Sequence, residues 1–324
     1  MKNHAVTFAL ALSLCFGLGL SAPVRAQEQG ILHIEAAAGE PPVLTVEIND
    51  QPVRLLLAPD APRFILLNPG VAERLGLRAN PLLSLGVRLD IQGDVSRGRT
   101  GRASVTLPDG ERFRQRVVWM EDITFSDEAD GVIGVTALGA LDRLIVQIED
   151  PDRAPDVAMT HVRLSGDRGL EWTFQAAQSG LPLELRLSFS RPSSLDADTR
   201  IAFESRGLIA PADEELRYAS FWFLDRALAF EHANLGFDVE GLGPNRFLRF
   251  AQAEDIAAHE ARLEYERAYG PIETITVRSM TRRSPDAPYG LSLGVDVLMA
   301  CWRIEFDFAT EAVFLRCPLQ EEAP

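Results

Sequence analysis

The chain has 324 residues, 46% of them hydrophobic, which is enough to bury one large core or two smaller ones. Its 47 acidic residues outnumber the 32 basic ones, and a formal net charge of −15 opposes general binding to nucleic acid or to anionic lipid. Four histidines beyond the first 26 residues (His33, His161, His232 and His259) lack metal-ligand spacing, so no metal or other cofactor is expected.

In chain order, residues 1–26 read as a signal peptide. Lys2 supplies the basic start, Ala5 to Leu20 the apolar stretch, and Val24-Arg25-Ala26 a small-residue cleavage site before Gln27. An apolar run of about 16 residues is short for a membrane span. Cys15 follows Leu14, where a lipoprotein signal needs a small residue. Cleavage would remove Lys2 and Arg25 and no acid, leaving 30 basic against 47 acidic residues and a net charge of −17. No later segment is long and apolar enough to cross a bilayer, so the expected product is periplasmic or secreted, with no stable membrane insertion.

From Gln27 the pattern is mostly β. Strands are predicted at Ile31–Ile34, Val43–Ile48 and Val53–Leu57, the last two joined by the turn Asn49-Asp50-Gln51-Pro52, followed by Ile65-Leu66-Leu67. Asn68 before Pro69 predicts an N-cap and first helical residue, with Gly76 stopping the helix before Leu77. Val87–Ile91, Ala103–Leu107, a Pro108-Asp109-Gly110 turn and Phe113–Trp119 continue the β pattern. Then come Asp130-Gly131-Val132-Ile133-Gly134-Val135-Thr136-Ala137-Leu138 and a strand at Leu144–Ile148.

The same order then recurs. His161–Leu164 and Trp172–Ala176 lead to Ser179-Gly180-Leu181-Pro182, a strand at Leu183–Phe189, and Thr199–Leu208, which ends in Arg206-Gly207-Leu208. Pro52 and Pro182 are 130 positions apart and the Gly-Leu pairs at Gly76 and Gly207 are 131 apart. Leu293-Gly294-Val295-Asp296-Val297-Leu298 repeats Ile133 to Leu138 at an offset of 160. The longer second pass has room for a helix at Ala253–Tyr269, stopped by Gly270-Pro271. Cys301 and Cys317 flank a predicted terminal hairpin centred near Ala309, so they can face each other as a disulfide. Closing that loop contributes on the order of 3 kcal/mol in the chain-entropy model.

A hairpin, an apolar strand ending in Leu55-Leu56-Leu57-Ala58-Pro59-Asp60-Ala61-Pro62, a second short strand, a helix ending in Leu75-Gly76-Leu77 and a later Asp-Gly-Val-Ile-Gly segment together resemble the pepsin-like and retropepsin-like aspartic peptidases. The resemblance implies a mainly β, two-lobed acid-protease-like fold with a pseudo-twofold internal repeat and a groove between lobes. It divides the chain into an N-terminal lobe at 27–152, a C-terminal lobe at 153–319 with an insertion near 209–288, and a tail at 320–324.

Such enzymes need two aspartates, one from each lobe, sharing a proton and activating a water. Here Ala58 falls at the first aspartate, Pro59 at the threonine and Asp60 at the glycine of that triplet. The second loop, Ser188-Phe189-Ser190-Arg191-Pro192-Ser193, contains no acid, and its degenerate centre is Ser190, Arg191 and Pro192. Ordinary aspartic-peptidase catalysis is therefore not expected. The leading expectation is a silent homologue that binds a peptide or protein partner. One alternative is an active endopeptidase with displaced carboxylates, Asp60 with Asp196 or Asp198. Another is a structural part of an envelope assembly.

Other chemistry is thin. Asp127-Glu128-Ala129-Asp130 and Asp196-Ala197-Asp198 lack the ligand pattern of a calcium loop, and no G-x-S-x-G nucleophile motif occurs. Arg112, Arg114 and Arg116 alternate and so share one strand face, a candidate surface for an acidic peptide, glycan or partner.

Overall fold

A computed structural model describes residues 30–78, 87–91, 94–149, 159–168, 172–211, 217–221, 224–233, 239, 241–242, 246–250 and 289–318. The chain is mainly β. The expected signal segment 1–26, the Ala253–Tyr269 helix and the tail at 320–324 lie outside the described residues.

In the first half the strands are β1 (Ile31–Ala37), β2 (Val43–Ile48), β3 (Gln51–Ala58), β4 (Ile65–Leu67), β5 (Val87–Ile91), β6 (Asp94–Thr106), β7 (Arg112–Met120), β8 (Gly131–Gly134) and β9 (Arg143–Glu149). In the second half they are β10 (Met159–Arg168), β11 (Trp172–Gln178), β12 (Leu181–Leu187), β13 (Ser194–Leu195), β14 (Ile209–Pro211) and β15 (Arg217–Phe221). They continue with β16 (Leu224–Ala233), β17 (Arg246–Phe250), β18 (Tyr289–Leu293), β19 (Arg303–Asp307) and β20 (Ala312–Pro318).

Strands β2-β3-β8-β4-β7-β6 close on themselves through β2–β6 pairing, giving a six-stranded barrel with β5 attached to β6. Closure removes the unpaired edges that would invite association. The alternation along β3 explains its place there. Leu55 and Leu57 join the main core, whereas Leu56 and Ala58 join a smaller cluster with Leu66, Val118 and Val132.

The two halves repeat one pairing scheme. Each begins with an antiparallel hairpin, β2–β3 and β11–β12, turned by two left-handed residues. These are Asn49 and Asp50 (φ 51° and 62°) in the first half and Ser179 and Gly180 (φ 49° and 77°) in the second. The second strand of each hairpin then runs parallel to a later one, β3 with β8 and β12 with β18. A short strand pairs antiparallel to that later strand and parallel to a further one: β4 with β8 and β7, β13 with β18 and β17. Leu57 pairs with Ile133 and Leu187 with Leu293, which are the 130 and 160 offsets of the sequence repeat.

Beyond this shared frame the halves differ. Among the described residues the second half does not close: its strands extend a sheet in the order β1-β9-β19-β20-β10-β11-β12-β18-β13-β17-β16-β14. Strands from both ends of the chain meet in it, because β9 lies between β1 and β19. One core cluster consequently runs through both halves. At its centre Trp172 lies 5.3–5.7 Å, ring centre to ring centre, from Phe174, Phe306 and Phe308.

The terminal hairpin and its disulfide form as expected, with Cys301 bonded to Cys317. Its turn spans Phe308–Glu311, about the predicted centre at Ala309, where the Asp307 carboxylate accepts the Ala309 and Thr310 amides at 3.0 and 2.9 Å.

The helix expected from Pro69 is shorter and capped differently, spanning Val71–Arg74 with left-handed Gly70 as its N-cap. Asn68 is not available as a cap. Its side-chain nitrogen donates to the Ser126 and Ala129 carbonyls (2.6 and 2.8 Å), while its oxygen accepts the Phe125 and Ser126 amides (2.8 and 3.2 Å). Satisfying four groups of a distant loop outweighs one local capping bond of about 1 kcal/mol. The helix still ends at Gly76, left-handed at φ 63°, with Leu77 bonded back to Ala72.

Candidate functional site

The pairing register puts Ala58 opposite Gly134, and Ser188 follows Leu187, the partner of Leu293. These two residues therefore occupy the equivalent strand ends of the two halves. Both are buried.

Each strand end leads into a loop that is held by backbone geometry. After Ala58, Pro59 and Asp60 form a tight turn closed by the Ala61 amide on the Ala58 carbonyl at 3.1 Å. Proline's fixed φ suits the second position of such a turn. In the second half, the Val295 amide donates to the Arg191 carbonyl at 2.9 Å, and the Ser188 amide to Leu293 at 2.8 Å. Ser193 completes the loop: its amide and hydroxyl both donate to Asp296 (2.7 and 3.0 Å), and its hydroxyl accepts the Gly294 amide at 2.9 Å. Serine suits that position because its hydroxyl donates and accepts at once.

Two glycines make these loops fit. A methyl on Gly134 would fall well inside contact distance of the Ala61 and Pro62 carbonyl oxygens. On Gly294 it would strike the Arg191 carbonyl and the Pro192–Ser193 peptide. Both backbones are extended, with φ −67° and −104°, so glycine is needed for close approach and not for an unusual φ.

The loops meet through their side chains: the Arg191 guanidinium donates to the Asp60 carboxylate. The carboxylate is 9% exposed and the guanidinium 42%. Asp60 and Arg191 lie 131 positions apart, so the pair crosses the internal repeat at its centre. The Asp60 carboxylate thus faces a permanent cation, and no second carboxylate is paired with it there among the described residues. Phe189, between the strand end and this contact, anchors the second loop against Phe306, their rings meeting edge-on at 6.4 Å.

The other acids proposed from sequence have separate places. Asp196 is the N-cap of the helix Ala197–Ser205, its carboxylate accepting the Thr199 amide and hydroxyl at 2.9 and 2.7 Å. The Thr199 hydroxyl in turn accepts the Gly290 amide of β18 at 2.7 Å. Asp198 lies exposed in the first turn of that helix. Ser190 is exposed and Pro192 partly buried.

Arg112, Arg114 and Arg116 are exposed on one face of β7, but they do not converge. Arg112 turns to the β2–β3 hairpin, pairing with Asp50 at 3.2 Å and Ser104 at 2.7 Å. Arg116 reaches the opposite end of the barrel, 5.6 Å over the ring of Phe64 in the loop after Asp60. Next to this strand, the Glu111 carboxyl is pushed above its ordinary range, first by burial and then by Asp109 and Asp142.

Among the described residues no three His, Cys, Asp or Glu side chains gather as metal ligands, and no helix is long and apolar enough to cross a membrane.

Sequence reasoning missed one group in the site. The Ser188 hydroxyl is fully buried and makes no hydrogen bond among the described residues. The repeat offset of 130 from Ala58 was the signal that could have singled it out.

No protein-family model matches the chain, and no curated protein matches it.

Proposed function

We propose that the chain is a catalytically silent relative of the bilobal aspartic peptidases, exported to the periplasm or beyond, whose inter-lobe groove or adjoining surface binds a peptide or protein partner. The observation that carries this reading is the Asp60–Arg191 ion pair at the meeting point of two topologically equivalent strand ends, Ala58 and Ser188. The frame of a two-carboxylate site is supported by the repeated pairing scheme, whereas the residues in it are a methyl, a hydroxyl and a neutralised carboxylate. The disulfide fits an oxidising compartment.

The displaced-carboxylate enzyme is less well supported, since Asp60 is engaged by Arg191 and Asp196 caps a helix.

The test is to incubate the folded mature protein with a denatured protein mixture between about pH 3 and pH 7, where aspartic dyads work, and to identify new peptide ends by mass spectrometry. The expected result is none at any pH. Cleavage that disappears in Asp60→Asn would overturn the silent reading and establish the displaced carboxylate as catalytic.

A further inference from the structure

The sheet region built from β9, β19, β20 and β10 has two unlike faces. Val146, Ile304, Leu315 and Val162 go into the core. The alternate residues form the outer face, where Arg143, Arg163, Arg303, Arg316 and His161 line an open depression of about 470 Å³. Register sets these side chains close together. Arg303 lies directly opposite Arg316, which lies directly opposite His161, so the three form one row across adjacent strands. Like charges facing each other across strands destabilise a sheet. In a chain with 47 acidic residues, such a row is a departure from its surroundings.

The two carboxylates in the depression do not relieve it fully. Glu305 accepts from both Arg143 (3.4 Å) and Arg303 (2.6 Å) and is occupied by them. Asp307 holds the hairpin turn. Arg163 and Arg316 have no carboxylate partner among the described residues. Arg163 donates to the Ser165 hydroxyl at 2.7 Å and lies 5.8 Å over the Phe314 ring, and Arg316 lies 4.7 Å over Trp302. A guanidinium resting on an aromatic face is held in orientation while its in-plane N–H groups remain free to donate. The disulfide, beside Trp302 and Arg316, fixes this end of the hairpin.

We infer that this depression is an anion-binding site for a phosphate-bearing molecule, with Arg163 and Arg316 as its principal donors and His161 and Arg303 beside them. The planar guanidinium fork matches phosphate oxygens two at a time. Arg163 faces Phe314 and Arg316 faces His161, so the two principal donors are diagonal neighbours roughly 7–8 Å apart, a span that suits two linked phosphates better than one. The depression shares no lining residue with the Ala58–Pro62 and Ser188–Ser193 loops and does not depend on their reading.

Titration calorimetry of the full mature chain with inorganic pyrophosphate tests the inference, with Arg163→Ser/Arg316→Ser as the site variant. Arg63→Ser/Arg78→Ser is the control, removing the same charge from exposed positions elsewhere. Sedimentation with phosphatidylglycerol vesicles, against phosphatidylcholine, runs beside it. The expected result is saturable binding that weakens roughly tenfold or more in the site variant and is kept in the control. Loss with vesicles alone would put the phosphate on a lipid headgroup, and loss with pyrophosphate alone on a soluble ligand. Both site arginines are exposed, so circular dichroism should show the variant folded. No saturable binding of either probe, or equal weakening in both variants, would overturn the inference.

Discussion

The two strand ends, Ala58–Pro62 and Ser188–Ser193, have the same backbone surroundings and different chemistry. In each, a central strand runs parallel to a later one, a glycine admits the loop to close contact, and a short helical turn follows that glycine. The first loop is made rigid by proline and carries its charge as Asp60. The second is held by Ser193 and Asp296 and carries the opposite charge as Arg191. The same backbone surroundings therefore carry opposite charges in the two halves, and one ion pair joins them.

The largest break in this symmetry should come from the glycines. Gly134→Ala and Gly294→Ala each drive a methyl into backbone atoms, which cannot move aside as a flexible side chain can. Each should cost about 3 kcal/mol or more in denaturant unfolding. Similar losses would support equivalent roles, and a tolerated alanine at either position would end the comparison.

The ion pair is the next test. Arg191→Ala leaves the nearly buried Asp60 carboxylate without its cation and should cost about 1–2 kcal/mol, less than a fully buried pair because the guanidinium is 42% exposed. Adding Asp60→Asn should recover part of that loss. A double-mutant cycle with no coupling would mean that the contact contributes nothing to joining the loops.

Smallest, and of opposite sign in the two halves, are exchanges at the strand ends themselves. Ser188→Ala removes a buried hydroxyl with no partner and should be neutral or stabilising by up to about 1 kcal/mol. Ala58→Ser introduces such a hydroxyl into an apolar cluster and should cost about 1 kcal/mol. Thermal unfolding of the two variants side by side checks the pair, and a clear loss in Ser188→Ala would mean that its hydroxyl has a role in stability.

Much of the frame was legible in the sequence because it rests on local rules. Strand periodicity, the turns at Asn49-Asp50 and Ser179-Gly180, the glycine after each helix and the spacing of Cys301 and Cys317 all act over short stretches of chain. The repeat offsets then carried pairing information over longer range, since equal spacing of equal elements allows equal registers. The lack of any acid in the Ser188–Ser193 loop was likewise visible without coordinates.

What tertiary structure alone decided were partnerships between residues far apart in the chain. Asn68 has the sequence of a helix cap, yet it clamps the Phe125–Ala129 loop, because four distant backbone groups outcompete one near one. Asp60 and Arg191 stand out in sequence only as separate loop positions, and only the meeting of the two loops makes them a pair. Arg303, Arg316, Arg163 and Arg143 are scattered over more than half the chain, and cross-strand register gathers them on one face. Local sequence sets where a strand begins and which residues it alternates; which strands lie side by side, and so which charges meet, is set by the packing of the whole core.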